Sequence, residues 1–361
     1  MSGRGLYTRE IIMNRRLSFL ILLILIVPLG ALLTGDEKED ILLAPNRVDE
    51  PLAEEYSAAR AESFLDEVTR SWETSRRCVT CHTNGLYLVA KSFVAPKSDD
   101  LARAREFAHE YLAPYVTGEK EPSGQRGSLE GVVATTAFLA IADAQADGRL
   151  DPRTIRALDH VWGLQSEDGD WSTWLQCNWP PYEVDAHFGA TLIALAVAMA
   201  PKESRGTKAA RRGIARLRRH LRTREPANLH QTGMLLWVAH HDEGLATRRR
   251  VERWVRALTE VQRDDGGFAT RDLGDERWVR QDGSEQDEES DAYATAFVSF
   301  VLSQVPAGLV DAEVTSAAHA WLEAHQRDSG RWFARSPRRD GHHFLSHAAT
   351  AFAVMALAPR E

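Results

Sequence analysis

From residue 54 onward the polar and apolar positions repeat as pairs of segments, one charged and amphipathic, the next small and apolar all round. The charged members run roughly over 54–74, 99–116, 152–165, 205–223, 246–262 and 311–326. The apolar members begin near Gly85 and cover 131–138, 187–194, 230–237, 291–298 and 346–353. The clearest pair reads Asp291-Ala-Tyr-Ala-Thr-Ala-Phe-Val and Ser346-His-Ala-Ala-Thr-Ala-Phe-Ala. No alternation of period two stands out, so strands are not expected. A period of about 40 to 65 residues is that of a repeat architecture. The pattern predicts an all-α protein, six outer helices and six inner helices closing into a ring. Small residues on the inner set permit close packing at its centre.

A second regularity joins some pairs. Gln165, Gly169 and Trp171 follow one charged segment, Gln262, Gly266 and Phe268 another, and Gln326, Gly330 and Trp332 the last, with the same internal spacing. Each position has a physical use: Gln to bond carbonyls left open at the helix end, Gly for the positive φ of the turn, and an aromatic to plug the gap between helix layers. These residues resemble the Q-x-x-x-G-x-W repeats of the squalene cyclase and prenyltransferase superfamily. The resemblance covers about residues 54–358 and implies an α/α toroid. That fold hosts cyclases, protein prenyltransferases and non-enzymatic domains alike. Asp185 is similar to the acid of triterpene cyclases, which open an inner helix with Asp-x-Asp-Asp. Here only one carboxylate of that set is present, beside His187. Those cyclases also use two toroids, and this chain has length for one. The Asp, Cys and His that hold zinc in prenyltransferases have no evident counterpart.

Where the first repeat should carry its Gln/Gly/Trp turn, the chain reads Cys78-Val-Thr-Cys81-His82. This is the attachment pattern of a covalent c-type haem: two thiols to add to the vinyl groups, and His82 as axial ligand of the iron. A disulfide between Cys78 and Cys81 and a zinc site are the alternatives, the latter lacking a second Cys-x-x-Cys. A distal ligand is not evident; Met234 and the histidines that open inner helices are candidates, and a five-coordinate iron is another. The combination resembles exported bacterial squalene-cyclase-like proteins with one such motif near the N-terminus.

The compartment bears on this chemistry. Residues 17–33 are nearly all apolar, and Arg9, Arg15 and Arg16 precede them. Basic residues ahead of an apolar span keep the N-terminus cytoplasmic, so the bulk is expected outside the cytoplasmic membrane. Residues 1–35 read as an uncleaved anchor, with a cleaved signal peptide as the alternative. Residues 36–53, with Pro45 and Pro51, read as a linker, and 54–361 as the toroid. The net charge of −8 disfavours wholesale nucleic-acid binding. Arg and Lys are nevertheless dense along the fourth and fifth charged segments. That reads as a solvated face or as a dock for anionic lipid or an acidic redox partner.

Asp185, His187, His230, Asp291, His343 and His347 all open apolar segments of different repeats. In a ring they share one rim. There the His and Asp residues together could ligate a metal, relay a proton or bind a polar substrate, with Asp185, His187 and Asp291 as the catalytic candidates. Helix capping by Asp is the competing use. Cys177 lies in a loop expected at the same rim, and residues from about 271 to 291 form a long insertion expected as a mobile loop over the cavity. The functional expectation is an exported, membrane-anchored toroid that binds haem c for electron transfer or a redox reaction, with a periplasmic redox partner. A terpenoid cyclase or prenyltransferase with a small hydrophobic ligand in the cavity, and a non-catalytic scaffold, are the alternatives.

Overall fold

The computed structural model describes residues 46–359 other than 124–127, 172–178, 183, 307 and 341–343. The expected anchor over 17–33, Cys177 and His343 lie outside the described residues. The twelve long helices are α1 Ala58–Arg76, α2 Asn84–Val94, α3 Asp99–Val116, α4 Ser128–Asp147, α5 Pro152–Leu164, α6 His187–Met199, α7 Lys208–Thr223, α8 Leu229–His241, α9 Arg248–Thr259, α10 Ala292–Ser303, α11 Ala312–Ala324 and α12 Phe344–Leu357. Among the described residues there is no strand, only an isolated antiparallel bridge between Leu52 and Arg327.

Odd-numbered helices form the outer wall. Each starts on a side chain that accepts a backbone N–H of its first turn: Ser57, Ser98, Asp151, Thr207, Thr247 and Asp311. These caps satisfy donors that the first turn of a helix leaves open. Even-numbered helices form the inner wall and are buried on nearly every face. Each packs on the next inner helix, and α12 returns to pack on α2, so the ring is closed. Close approach demands small residues: a Cβ at Gly85 would collide with the Phe138 ring, and one at Gly233 with Phe297. The inner threonines have a further use. The hydroxyls of Thr295 and Thr350 accept the backbone N–H of Phe268 at 2.9 Å and of Trp332 at 3.0 Å, the aromatic of the turn in each repeat.

The Gln turns do something the spacing alone did not reveal. Gln165 Nε2 donates to Gly169 O at 2.9 Å and to Gly213 O on α7 at 3.1 Å. Gln262 Nε2 donates to Gly266 O and to Val314 O on α11, each at 2.8 Å. Gln326 Nε2 donates to Gly330 O and to Ser57 O, the cap of α1, each at 3.0 Å. Each Gln therefore clips its own turn to the next outer helix rather than to the end of its own. The glycines have φ of 96°, 87° and 91°, and their Cα faces backbone of that same neighbouring helix. Trp171 Nε1 and Trp332 Nε1 then reach back to Val161 O and Leu322 O.

The stretch expected as linker is partly structural. Ala53 N donates to Gln326 O at 2.8 Å, Arg331 Nε to Glu50 at 2.6 Å, and Ser329 N to the same carboxylate at 3.1 Å. The chain entering α1 is thus bonded to the last turn. Gly330→Ala and Gly118→Ala separate conformation from packing at this seam. Both glycines have positive φ, but nothing lies within 4 Å of a Cβ at Gly118. Both variants should lose the ~1 kcal/mol of a left-handed residue. Gly330→Ala should lose about 2 kcal/mol more by thermal or urea denaturation; equal losses would remove the packing argument.

Candidate functional site

The Cys-x-x-Cys-His turn joins α1 to α2 where the other repeats have a Gln turn or a loop. Arg77, with φ of 54°, ends α1 in the left-handed conformation. Asn84 then ties the turn at both ends: its Nδ2 donates to Cys78 O at 3.0 Å, and its Oδ1 accepts from Thr80 N at 3.0 Å. Gly85 N closes the loop on Thr80 O at 3.0 Å. Cys81 is buried and Cys78 half-buried, and the two are not bonded to each other. His82 stacks on Phe344 at 4.5 Å between ring centres and meets the edge of Trp72 at 5.3 Å. Its Nδ1 lies 2.7 Å from Thr83 Oγ1, and that hydroxyl lies 3.0 Å from Nδ1 of buried His347. Thr83 thus links the motif to the first turn of α12.

Haem fits this arrangement on three counts. The thiols leave one short turn whose backbone is fixed by Asn84. The imidazole is held at Nδ1 by a hydroxyl, as second-shell groups fix a ligating histidine. Trp72, Phe344 and Trp179, which packs on Phe344 at 5.7 Å, supply an apolar wall. Among the described residues no three His, Cys, Asp or Glu side chains are grouped to hold a metal ion.

Of the rim residues, the structure joins His347 to the motif and places Asp185, His187 and His230 in a second group. Asp185 accepts from His187 N at 2.9 Å, from Gln231 Nε2 at 2.7 Å, and from Arg277 Nη1 at 2.8 Å. Arg277 also binds Asp275 at 2.6 Å, and Asn228 donates to that carboxylate at 2.7 Å. The Arg277 bond holds Asp275 down at about 2. Burial pulls His187 down to about 4, and its Nδ1 is a buried atom without a partner. Burial also pulls His230 down to about 3; its Nε2 lies 2.9 Å from Tyr293 Oη, and its ring stacks on Phe297. Both rings are neutral near pH 7. Asp291 stands apart. It caps α10 through Ala294 N at 3.0 Å and grips both the N–H and the hydroxyl of Thr270. Burial raises its pKa against those donors. The capping use of Asp prevails there.

Sequence reasoning missed Arg277, and only its place in the long insertion hinted at it. That insertion is anchored in its first half, and 281–289 are mostly exposed. Trp278 is buried, and the buried Arg280 side chain donates to Ser284 Oγ at 2.7 Å and binds Ser336 O and Asp340. The bore of the ring is filled as well. Phe300 on α10 meets Phe93 on α2, and Trp237 on α8 meets Phe352 on α12, each contact passing over an intervening inner helix. Beside Asp185, His187 and Met234 there remains about 10 Å³, roughly one water.

No protein-family model and no curated protein matches the chain. Solved structures do. The type II terpene cyclase MstE from Scytonema aligns with a TM-score of 0.52 at 18% identity, over 83% of this chain and 95% of that one. The polysaccharide lyase BACCELL_00875 aligns with 0.51 at 11% identity, over 83% and 96%. A possible GH105 member from Klebsiella pneumoniae aligns with 0.50 at 14% identity, over 88% and 95%. The fold is an α/α toroid. At these identities the toroid's neighbours speak for architecture alone.

The depressed His230 gives a pH test. Its pKa is about 3 folded against about 6.5 unfolded, so its contribution is complete above 6.5 and is lost as pH falls towards 3. His230→Phe should flatten the stability profile between those values by up to ~1.4 kcal/mol per pH unit. An unchanged slope in urea titrations at pH 7, 5.5 and 4 would contradict a neutral buried ring.

Proposed function

We propose that the protein is an exported, membrane-anchored α/α toroid that carries one covalent haem c on Cys78 and Cys81, with His82 as axial ligand, and serves electron transfer or a redox reaction with a periplasmic partner. The observation that carries the reading is the hydroxyl of Thr83 on His82 Nδ1, in a turn that already has both thiols at the attachment spacing. Haem bound there supplies a one-electron couple. The chain's own residues do the positioning. Asn84 fixes the turn, Thr83 fixes the imidazole, and Trp72 and Phe344 keep water from its faces. The apolar span over 17–33 supports export, which puts the thiols where haem ligation takes place.

The test is the full chain produced with a haem-ligation system. The expected result is an intact mass increased by one haem, with a Soret band that survives denaturation. Cys78→Ser with Cys81→Ser should abolish both. A correctly exported chain that stays colourless at its apo mass overturns the reading. Thr83→Val should keep the covalent haem but change the axial-ligand bands of the spectrum; identical spectra would mean that Thr83 does not position His82.

The cyclase reading is supported by the toroid likeness to MstE and by Asp185 at an inner-helix start. Two observations weigh against it. Asp185 is one half of an ion pair with Arg277, whereas protonation of an alkene needs an acid that holds its proton. Aromatic contacts also cross the ring, and the space beside Asp185, His187 and Met234 is about 10 Å³. Dependence of an identified isoprenoid reaction on Asp185, lost in Asp185→Asn, would favour this reading over the first.

A further inference from the structure

The protein has net charge −8, yet residues 205–256 contain fourteen Arg and Lys against four Asp and Glu. The fold places these bases on two neighbouring outer helices. Arg250 on α9 donates to Arg222 O at 2.8 Å and Arg224 O at 3.0 Å, and Arg253 pairs with Glu225 at 3.1 Å, so α9 lies along the end of α7. Lys208, Arg212, Arg219, Arg249 and Arg256 are exposed and have no acidic partner among the described residues. On α9, positions 249, 253 and 256 share one face; on α7, positions 208, 212, 219 and 222 do. A groove of about 610 Å³ along α9, beside the end of α7, is lined by Thr247, Arg249, Arg250, Arg253 and Arg256 together with Glu225 and Glu252.

The other side of α9 has the opposite character. A crevice of about 540 Å³ is walled mainly by Leu236, Ala239, Val251, Val305, Pro306 and Leu309, with His240, Glu243 and Arg248 as its polar residues. One helix therefore separates a basic groove from an apolar one. An acidic protein would match the first and not the second. A phospholipid matches both, having an anionic head and an apolar chain. Lys208, Arg212, Arg219, Arg249 and Arg256 also suit a surface whose charges move laterally, because their side chains are long and are not held by acids among the described residues.

We infer that the α7–α9 face docks on an anionic phospholipid bilayer. None of these residues lies in the first repeat, so the inference stands apart from the haem reading. Docking this face would set the toroid's orientation on the membrane; α7 and α9 belong to the fourth and fifth repeats and the Cys78–His82 turn to the first.

The test uses the full chain in nanodiscs of phosphatidylcholine alone or of an equal mixture with phosphatidylglycerol. Each contains a photo-crosslinking analogue of its own lipid, and adducts are mapped by mass spectrometry. Because an inserted N-terminal span would hold the chain on either disc, the readout is where adducts fall. Adducts should concentrate on 208–224 and 248–256 with phosphatidylglycerol, several-fold above phosphatidylcholine, and fall as salt is raised. Combining Lys208→Glu, Arg212→Glu, Arg249→Glu and Arg256→Glu should cut them on the order of 100-fold, with an unchanged circular dichroism spectrum. Equal adducts with both lipids overturn the inference, as do undiminished adducts in the charge-reversed variant. Adducts absent from both helices on the anionic disc also overturn it and leave an acidic protein as the partner of this face.

Discussion

A ring of helix pairs is only as closed as its weakest junction, and the junctions between outer helices are where this fold is decided. The inner helices are apolar enough to cluster in any order. What sets the order is the set of polar links between outer helices. Three junctions use the Gln clip: α5 to α7, α9 to α11 and α11 to α1. The other three use arginine. Arg103 on α3 binds Glu73 on α1, Arg153 on α5 binds Glu106 on α3 at 2.8 Å, and Arg250 on α9 binds carbonyls at the end of α7. A neutral amide pair and an ion pair thus do the same geometric task. The Arg103 link lies beside the repeat whose Gln turn is replaced by Cys78-Val-Thr-Cys81-His82, and it relieves that turn of a structural duty.

This division explains what was legible in the chain. Outer helices were readable to within a few residues because each starts at a polar cap and faces water on one side. Asp99–Val116 follows directly on Ser98. Inner helices were readable as types through their Ala and Thr content, though α4 starts at Ser128, ahead of the apolar run. Contacts between distant residues were not readable. Thr83 and His347 are 264 positions apart, and Asp185 and Arg277 are 92 apart. No local pattern encodes such pairs. The polar residues that open the inner helices are divided among different partners, which the chain order does not reveal. Asp291 went to capping, and Asp185 went to Arg277.

The two clusters on the rim differ in electrostatic character. Around Asp185 the charges are paired and the histidines are kept neutral by burial, which makes a rigid polar plug over a filled bore. Around His82 the contacts are aromatic, and the hydrogen bonds are those that orient a ring. The first is built on ion pairs and neutral buried rings, the second on ring contacts and a shared hydroxyl.

The seam between Gln326 and Ser57 has a consequence for biogenesis. Glu50, Ala53 and Ser57 meet partners at 326–331, close to the C-terminus. Contacts so distant in sequence form late and slowly. Until the sixth repeat has emerged from the ribosome, α1 lacks the neighbour that covers its open side, and the circle stays a horseshoe. A ring whose first and last repeats are bonded to each other stays open, and its inner helices only partly covered, until residues 326–331 are in place.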